Sequence, residues 1–279
     1  MSLAITPNDF EFLQSMLKQN SGLVLDQSKT YLVESRLQPI VREKGLPSLG
    51  ALVDALRKGG KSSPLTQTVV EAMTTNETLF FRDMHPFEAL RKNVLPDLLA
   101  KRSSQKKLRI WCAAASTGQE PYSIAMTLSD MAELAGWRIE ILGTDISTDA
   151  LDRAKKAAYS QFEVQRGLPI QLLVKNFKQE GDRWHLNDNI RNMVQYRPLN
   201  LLLPFSSLGT FDIVFCRNVL IYFDAADKRK ILDNISNALA NDGFMFLGGA
   251  ETVLGITDSF QNIPNLRGIY RKSQQGKPQ

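Results

Sequence analysis

Cysteine and histidine are both scarce in this sequence. The 279 residues include two cysteines, Cys112 and Cys216, and two histidines, His85 and His185. Each cysteine lies inside a stretch predicted to be a buried strand, which favours a reduced protein over a disulfide framework. The four side chains show none of the spacings typical of metal ligands, so no metal site is expected.

Long apolar runs are also missing. No segment approaches the ~20 consecutive apolar residues that a membrane-spanning helix needs, so no membrane-embedded segment is expected. The N-terminal stretch MSLAITPNDFEF carries acidic side chains and lacks the basic and apolar pattern of a secretion signal. These absences, together with the reduced cysteines, predict a cytoplasmic protein. A net charge of +5 is too small to require a nucleic-acid partner.

Strand signals are absent from the first part of the chain. Residues 1–74 show helical periodicity throughout, which predicts a separate all-α N-terminal domain. Pro39 interrupts one amphipathic helix of this domain and should kink or split it, because proline removes an intrahelical hydrogen bond. Arg36 and Arg42 lie on the basic side of that helix.

The remainder of the chain alternates strands with helices. After a linker at residues 75–85, the domain 86–279 contains continuous apolar strands, as expected where helices cover both faces of a sheet. The pattern predicts an α/β fold with a doubly wound, mostly parallel sheet. A final strand at Leu266–Lys272 should be antiparallel at an edge, and residues 159–197 should form a small antiparallel β insertion. The other predicted strands are Leu108–Ala113, Arg138–Thr144, Phe211–Cys216 and Gly243–Gly248.

The stretch Leu108–Ser123 carries the first functional signal. A buried strand runs into a turn of small residues, Ala114–Gly118, and a helix then begins at Gln119. Small side chains let the backbone approach a ligand closely. The next predicted strand leads to Asp145, and an acid in that place binds ribose hydroxyls in doubly wound folds. Only one glycine of a possible G-x-G-x-x-G is present, so an ordinary strand-to-helix turn explains the turn equally well when it is taken alone.

Four motifs, in order along the chain, resemble the CheR-type chemoreceptor methyltransferases, which depend on S-adenosyl-L-methionine. They are NETLFFR (Asn76–Arg82), WCAAASTGQEPYS (Trp111–Ser123), RPLNL (Arg197–Leu201) and FDIVFCRNVLIYF (Phe211–Phe223). The resemblance implies a helical N-terminal domain followed by a class I methyltransferase (Rossmann-like) sheet with a small β-subdomain. The family commonly has Gly, Cys and Glu where this chain has Ala114, Ala115 and Gln119. Alanine is expected to be tolerated if φ at Ala114 stays negative.

The resemblance also implies a set of residues that bind the cofactor S-adenosyl-L-methionine and its product S-adenosyl-L-homocysteine. These residues are Asn76, Thr78, Arg82, Glu120, Asp145, Asn200, Leu201, Arg217 and Asn218. Several of them have structural alternatives. Arg82 would otherwise form a linker salt bridge to Glu120 or Asp145, and Glu120 would otherwise only cap its helix. Asn200 and Asn218 would otherwise be turn residues at strand ends.

The family reaction transfers a methyl group from a sulfonium to a glutamate side chain of a chemoreceptor and forms a methyl ester, which tunes adaptation in chemotaxis. A glutamate has an ordinary pKa of about 4.3, so the nucleophile is already ionised at neutral pH and needs no general base. Positioning is then the main source of rate. We expect Arg82 to orient carboxylates near the sulfonium and Tyr222 to position the target carboxylate by a hydrogen bond. Tyr222 would otherwise be a capping aromatic beside Phe223.

The partners follow from the same resemblance. The family's N-terminal domain docks on the cytoplasmic helical bundle of a chemoreceptor, which gives Arg36 and Arg42 a docking role, although a solvated helix face explains them equally well. A receptor C-terminal tether peptide at the β-subdomain is a further option, and the protein is expected to be a monomer without a nucleic-acid partner. Two alternatives stay open: a methyltransferase for RNA or a small molecule, and a cofactor-binding scaffold without activity. The sequence has no base-stacking cluster of aromatic and basic residues, which argues against RNA.

Overall fold

The computed structural model describes residues 5–60 and 63–273. Its internal contacts divide the chain into two compact units, which we call the helical unit and the α/β unit. The helical unit extends to Thr75 and includes Tyr222–Asp227, and the α/β unit contains Asn76–Ile221 and the chain from Lys228 onward.

The described part of the helical unit contains four α-helices, one 3-10 turn at Gln27–Lys29 and short connections. The α-helices are α1 (Pro7–Ser21), α2 (Thr30–Glu43), α3 (Leu49–Gly59) and α4 (Pro64–Met73). The Thr6 side chain accepts the N–H of Asp9 and so caps α1, as short polar side chains do at helix starts. Pro39 lies inside α2 without splitting it. Leu37 and Val41, on either side of the proline, are buried, and this packing compensates for the hydrogen bond that Pro39 removes.

In the first helical stretch of the α/β unit, a π-helical turn, Leu90–Val94, joins two helices. These are α5 (His85–Ala89) and α6 (Leu95–Lys101). The helices that follow are α7 (Gln119–Ser129), α8 (Thr148–Lys156), α9 (Gln161–Gln165), α10 (Ile170–Asn176), α11 (Asp188–Arg191) and α12 (Ala225–Ala238). The strands are β1 (Lys107–Ala113), β2 (Arg138–Asp145), β3 (Ala158–Ser160), β4 (Phe177–Glu180), β5 (Arg183–Leu186), β6 (Val194–Pro198), β7 (Phe211–Cys216), β8 (Leu239–Leu247), β9 (Phe260–Ile263) and β10 (Leu266–Lys272).

A seven-stranded sheet forms the centre of the α/β unit, in the order β6-β2-β1-β7-β8-β10-β9. The first five strands of this order are parallel, and β10 is antiparallel to both of its neighbours. The predicted mostly parallel sheet is therefore confirmed. The prediction that Leu266–Lys272 is the edge strand was wrong, because the short strand β9 pairs with its outer side. Since β1 connects to β2 on one side and pairs with β7 on the other, the sheet has a switch point between β1 and β7, where such folds bind ligands.

A second sheet of three antiparallel strands, in the order β3-β5-β4, accounts for the predicted β insertion. The insertion is shorter than predicted. Its expected last segment is β6, which pairs in parallel with β2 and belongs to the main sheet. Val194 faces Ile141 in that register, and the burial of both residues explains why this segment joins the large core.

The two cysteines lie on neighbouring strands of the main sheet. Cys112 of β1 is in register with Phe215 of β7, so Cys216 is one position further along. Because successive residues of a strand point to opposite faces, the two thiols lie on opposite faces of the sheet and cannot form a disulfide. Burial raises the pKa of both thiols well above the ordinary value, which keeps them unreactive.

Candidate cofactor-binding and catalytic site

The turn after β1 has an unusual backbone. Ala114, Ser116 and Gly118 all have positive φ, at 66°, 50° and 95°. A Cβ atom on Gly118 would lie 2.8 Å from the hydroxyl oxygen of Tyr196, so glycine is required there for space as well as for conformation. The turn is thus a stretch of small residues with three left-handed positions, at the carboxyl end of β1.

Ala114 does not meet the condition under which alanine was expected to be tolerated, because its φ is positive. A left-handed residue with a Cβ is strained by about 1–2 kcal/mol, of which glycine would recover part. We therefore expect Ala114→Gly to raise the free energy of unfolding by about 1 kcal/mol. The neighbouring Ala115 has a negative φ and is buried, so Ala115→Gly should lower the free energy of unfolding by about 1 kcal/mol. Urea denaturation of both variants checks this, and equal shifts in the same direction would contradict the strain at Ala114.

Asp145 is the last residue of β2 and is buried. Its Oδ2 atom accepts the N–H of Ser116 at 2.8 Å, and its Oδ1 atom accepts the N–H of Ser147 at 3.0 Å. The hydroxyl of Ser116 donates to the backbone carbonyl of Asn76 at 2.9 Å, and the carbonyl of Asp145 accepts the N–H of Leu199 at 2.9 Å. Three of the four motifs, together with the predicted acid at the end of β2, therefore meet at this edge of the sheet.

Arg217 follows β7 directly and forms a second cluster. Its guanidinium is buried and donates from Nη1 to Oε2 of Glu120 at 2.8 Å. The Nη2 atom donates to Oδ2 of Asp83 at 2.7 Å and to the carbonyl of Arg82 at 3.0 Å. Burial raises the pKa of Glu120 above its ordinary value, although the charge of Arg217 acts in the opposite direction. Glu120 is therefore an ion-pair partner inside the unit as well as a residue of the first turn of α7.

The guanidinium of Arg82 takes no part in that ion pair. Arg217, not Arg82, is the cation that bonds to Glu120, and the Arg82 side chain donates to the carbonyl of Glu77 at 3.3 Å. The alternative salt bridge from Arg82 to Glu120 is therefore wrong. Arg82 is partly exposed, so its charge is accessible at the edge where Glu120 and Arg217 lie.

The two asparagines occupy turns at strand ends. The Asn200 side chain accepts the N–H of Leu202 at 3.0 Å, two residues after β6. Asn218 follows Arg217 with a φ of 59°, a left-handed conformation that asparagine tolerates better than most residues. Both are thus turn residues, which is compatible with a ligand role because these turns lie at the carboxyl ends of parallel strands. Leu201 is buried and Thr78 is partly exposed.

Tyr222 is placed differently from the other predicted residues. It ends the short 3-10 turn Leu220–Tyr222 and groups with the helical unit. Within that unit its carbonyl accepts the N–H of Val24 at 3.0 Å, and Lys18 forms ion pairs with Asp224, at 2.6 Å, and with Asp227.

The two arginines of α2 differ in their contacts. Arg36 donates from Nη1 to the carbonyls of Met73 and Thr74, at 2.6 and 2.9 Å, and from Nη2 to the hydroxyl of Thr75 at 2.9 Å. This side chain caps the end of α4. Arg42 is exposed on the last turn of α2.

Sequence reasoning missed three residues that organise these clusters: Ser116, Asp83 and Glu251. The carboxylate of Glu251 accepts four backbone N–H groups from the ends of two strands. The sequence shows an acid shortly after a glycine pair, and that pair follows β8 directly. The role of this acid depends on β8 lying next to β7, which the sequence does not state.

The arrangement fits a nucleoside-containing cofactor. A turn of small residues with three left-handed positions follows β1, Asp145 supplies a buried carboxylate at the end of the neighbouring strand, and Arg217 with Glu120 adds buried charges across the switch point. Within residues 5–60 and 63–273 no group of His, Cys, Asp and Glu side chains is arranged to hold a metal ion. No helix in the described part of the chain is long and apolar enough to cross a membrane.

Comparisons with known proteins agree with this geometry. The family model "CheR methyltransferase, all-alpha domain" matches residues 8–74, and "CheR methyltransferase, SAM binding domain" matches residues 76–269. Chemotaxis protein methyltransferase 1 of Pseudomonas aeruginosa is 42% identical over 275 residues, which cover 95% of this chain and 98% of that protein. Chemotaxis protein methyltransferase Cher2 of Pseudomonas putida is 41% identical over 271 residues, with 95% and 98% covered. Chemotaxis protein methyltransferase 1 of Vibrio cholerae is 40% identical over 275 residues, with 96% and 98% covered. The chain is therefore a member of the CheR methyltransferase family, with the all-alpha domain and the S-adenosylmethionine-binding domain of that family.

Proposed function

We propose that this methyltransferase transfers a methyl group from S-adenosyl-L-methionine to glutamate side chains on the cytoplasmic helical bundle of chemoreceptors. The observation that supports this most is the meeting of Asn76, Ser116, Asp145 and Leu199 at one edge of the sheet. These residues come from separate parts of the chain, and the relatives that share nearly its whole length are chemotaxis methyltransferases.

The cofactor would lie along the turn after β1. Asp145 would accept the ribose hydroxyls, and Asn76, Thr78, Arg82, Glu120, Asn200, Leu201, Arg217 and Asn218 would line the remainder of the site. Bound there, S-adenosyl-L-methionine supplies a methyl group on a sulfonium, and transfer leaves a glutamyl methyl ester and the neutral thioether S-adenosyl-L-homocysteine. The protein does not need to remove a proton, because the glutamate is ionised at neutral pH. Its task is to hold the carboxylate in line with the methyl group.

Receptor methylation tests this function directly. The purified protein is incubated with labelled S-adenosyl-L-methionine and membranes that carry chemoreceptors, and the product is treated with alkali. We expect label on the receptor that alkali releases as methanol, as a carboxyl methyl ester requires. Alkali-stable label on RNA would instead support an RNA methyltransferase, and cofactor binding without any transfer would support a scaffold.

Receptor docking is proposed for the basic side of α2, with Arg42 as its better test. Arg42 is exposed, whereas reversal of Arg36 would also break the bonds that cap α4. In the same assay, Arg42→Glu should raise the KM for receptor and leave the affinity for S-adenosyl-L-homocysteine unchanged. Unchanged receptor KM would assign Arg42 to a solvated helix face. Binding of a receptor tether peptide at the β3-β5-β4 sheet is tested with receptors that lack their C-terminal residues. Slower methylation of these receptors would support the tether, and an equal rate would remove it from the proposal.

Tyr222→Phe should lower turnover more than it lowers cofactor binding. The variant loses one hydrogen bond to the target carboxylate, a loss of about 1.4 kcal/mol that corresponds to a decrease of about tenfold in kcat. Calorimetric titration with S-adenosyl-L-homocysteine should give an unchanged Kd, because the hydroxyl is assigned to the receptor substrate. A variant that turns over as fast as the wild type would remove Tyr222 from the mechanism.

A further inference from the structure

We infer that Glu251 is a positioning residue for the cofactor site, which acts by holding the turn that carries Arg217 and Asn218. Glu251 lies in the loop after β8 and is 9% exposed. Its carboxylate bonds to backbone amides, and one of them is the amide of Asn218. The inference rests on the proposed cofactor roles of Arg217 and Asn218 and is independent of the glutamate substrate.

Both oxygens of the Glu251 carboxylate are used. Oε2 accepts the N–H of Asn218 and the N–H of Gly248, each at 2.7 Å. Oε1 accepts the N–H of Val219 at 2.9 Å and the N–H of Leu220 at 2.7 Å. One carboxylate therefore bonds to three successive amides after β7 and to one amide after β8.

The strand order explains why these amides need an acid. Cys216 and Leu247 are in register at the ends of β7 and β8, so both chains leave the sheet side by side. The three amides that follow Arg217 have no strand partner, and the left-handed Asn218 turns them toward the same side. Successive amides arranged in this way form a concave anion-binding site, which here is filled by a side chain of the same protein.

Gly248 supplies independent evidence that this contact is closely fitted. A Cβ atom at position 248 would lie 2.7 Å from Oε2 of Glu251 and 2.7 Å from Nδ2 of Asn218. Any larger residue would displace one of these two groups. The site therefore combines a buried carboxylate, four amides and a glycine that leaves room for them.

The functional consequence follows from chain continuity. Arg217 lies between β7 and the bonded amides, and its guanidinium bonds to Glu120 and Asp83. Release of the amides of Asn218 and Val219 would free the backbone on which both Arg217 and Asn218 are carried. Small displacements of binding groups reduce affinity strongly, so Glu251 should affect the cofactor without touching it.

Calorimetric titration with S-adenosyl-L-homocysteine tests the inference. Glu251→Gln replaces one acceptor oxygen by an NH2 group that faces amide N–H groups, so we expect the Kd to rise at least about tenfold with unchanged stoichiometry. Asp258→Asn is the matched control, because Asp258 is an exposed acid in the same loop, and it should leave the Kd unchanged. A merely structural role of Glu251 would lower the stoichiometry and leave the Kd of the folded fraction as in the wild type, and that result would overturn the inference.

Gly248→Ala provides a second variant in case Glu251→Gln does not fold. Its added methyl group should displace Glu251 and raise the Kd in the same way, and a wild-type Kd in Gly248→Ala would overturn the inference as well. Amide NMR gives a readout at the bonds themselves: the proton shifts of Val219 and Leu220 should move upfield in both variants. If the wild-type protein fails to methylate receptors, the proposed receptor substrate is wrong. The titrations still test the role of Glu251, because they measure cofactor binding alone.

Discussion

Arg217→Met should weaken cofactor binding strongly and destabilise the α/β unit by about 3–5 kcal/mol. The reason for the instability is that Glu120, with 12% of its side chain exposed, would be left as a buried carboxylate without its guanidinium partner. The affinity for S-adenosyl-L-homocysteine should fall by at least about 100-fold, or about 2.7 kcal/mol. Denaturant unfolding measures the loss of stability, and calorimetric titration at low temperature measures the loss of affinity.

The loss of stability in Arg217→Met should depend on pH with a defined sign. Burial already raises the pKa of Glu120 above its ordinary value, and removal of the Arg217 cation that opposes this would raise it further. An acid with a raised pKa in the folded state contributes stability at low pH and loses it as pH rises through the folded-state pKa. The variant should therefore be closer to the wild type at about pH 5 than at about pH 8.

Two further variants separate stability from binding in this pair. Glu120→Gln in the Arg217→Met background should recover much of the stability, because no buried charge is left unpaired, and should remove the pH dependence. The affinity of the double variant for S-adenosyl-L-homocysteine should remain as low as that of Arg217→Met. Arg271→Met is a control for the removal of an arginine, since Arg271 is 40% exposed and its ion pair with Asp97 should contribute at most about 1 kcal/mol. A stable Arg217→Met protein that binds the cofactor would contradict this account.

The places of Asp145 and of the turn Ala114–Gly118 in the fold can be predicted for a simple physical reason. Asp145 and the turn Ala114–Gly118 follow strands whose apolar runs are visible in the sequence, and the carboxyl ends of parallel strands always meet at one edge. The expectation that these groups lie at one edge does not require the order of the strands to be known. Glu251 and Asp83 escaped detection because their roles depend on which strands are neighbours and on backbone amides, which leave no mark in the pattern of side chains.

The errors in the fold have a similar cause. The β6 strand, Val194–Pro198, is short and directly follows the antiparallel insertion, and nothing in its pattern identifies β2 as its partner. The four-residue strand β9 has no clear signal of its own, so the sequence alone leaves Leu266–Lys272 at the edge. At Ala114 the sequence shows only a small residue, whereas the observed φ is set by the path of the chain from β1 to α7. In each case a long-range contact decided between locally equivalent structures.

Asp145→Asn should weaken binding of S-adenosyl-L-homocysteine by about 100-fold, because bonds from ribose hydroxyls to a carboxylate contribute about 1.5–3 kcal/mol each. The side-chain NH2 group of the variant would also face one of the two backbone N–H groups, that of Ser116 or that of Ser147, from which the carboxylate now accepts a hydrogen bond. Asp152→Asn is the matched control, since Asp152 lies exposed on α8 with its charge paired to Lys155, and it should bind as the wild type does.

An analogue of S-adenosyl-L-homocysteine without the 2′-hydroxyl distinguishes the two ways in which Asp145 could act. If the carboxylate accepts that hydroxyl, the wild type should lose about tenfold or more in affinity for the analogue, and Asp145→Asn should lose little further. The two changes would then be strongly non-additive, as expected for groups in direct contact. If the losses add, Asp145 acts only by holding the turn through Ser116, and the ribose must be bound by another residue. Since Asp145 ends β2, the place from which an acid binds ribose hydroxyls in doubly wound folds, we expect the non-additive result.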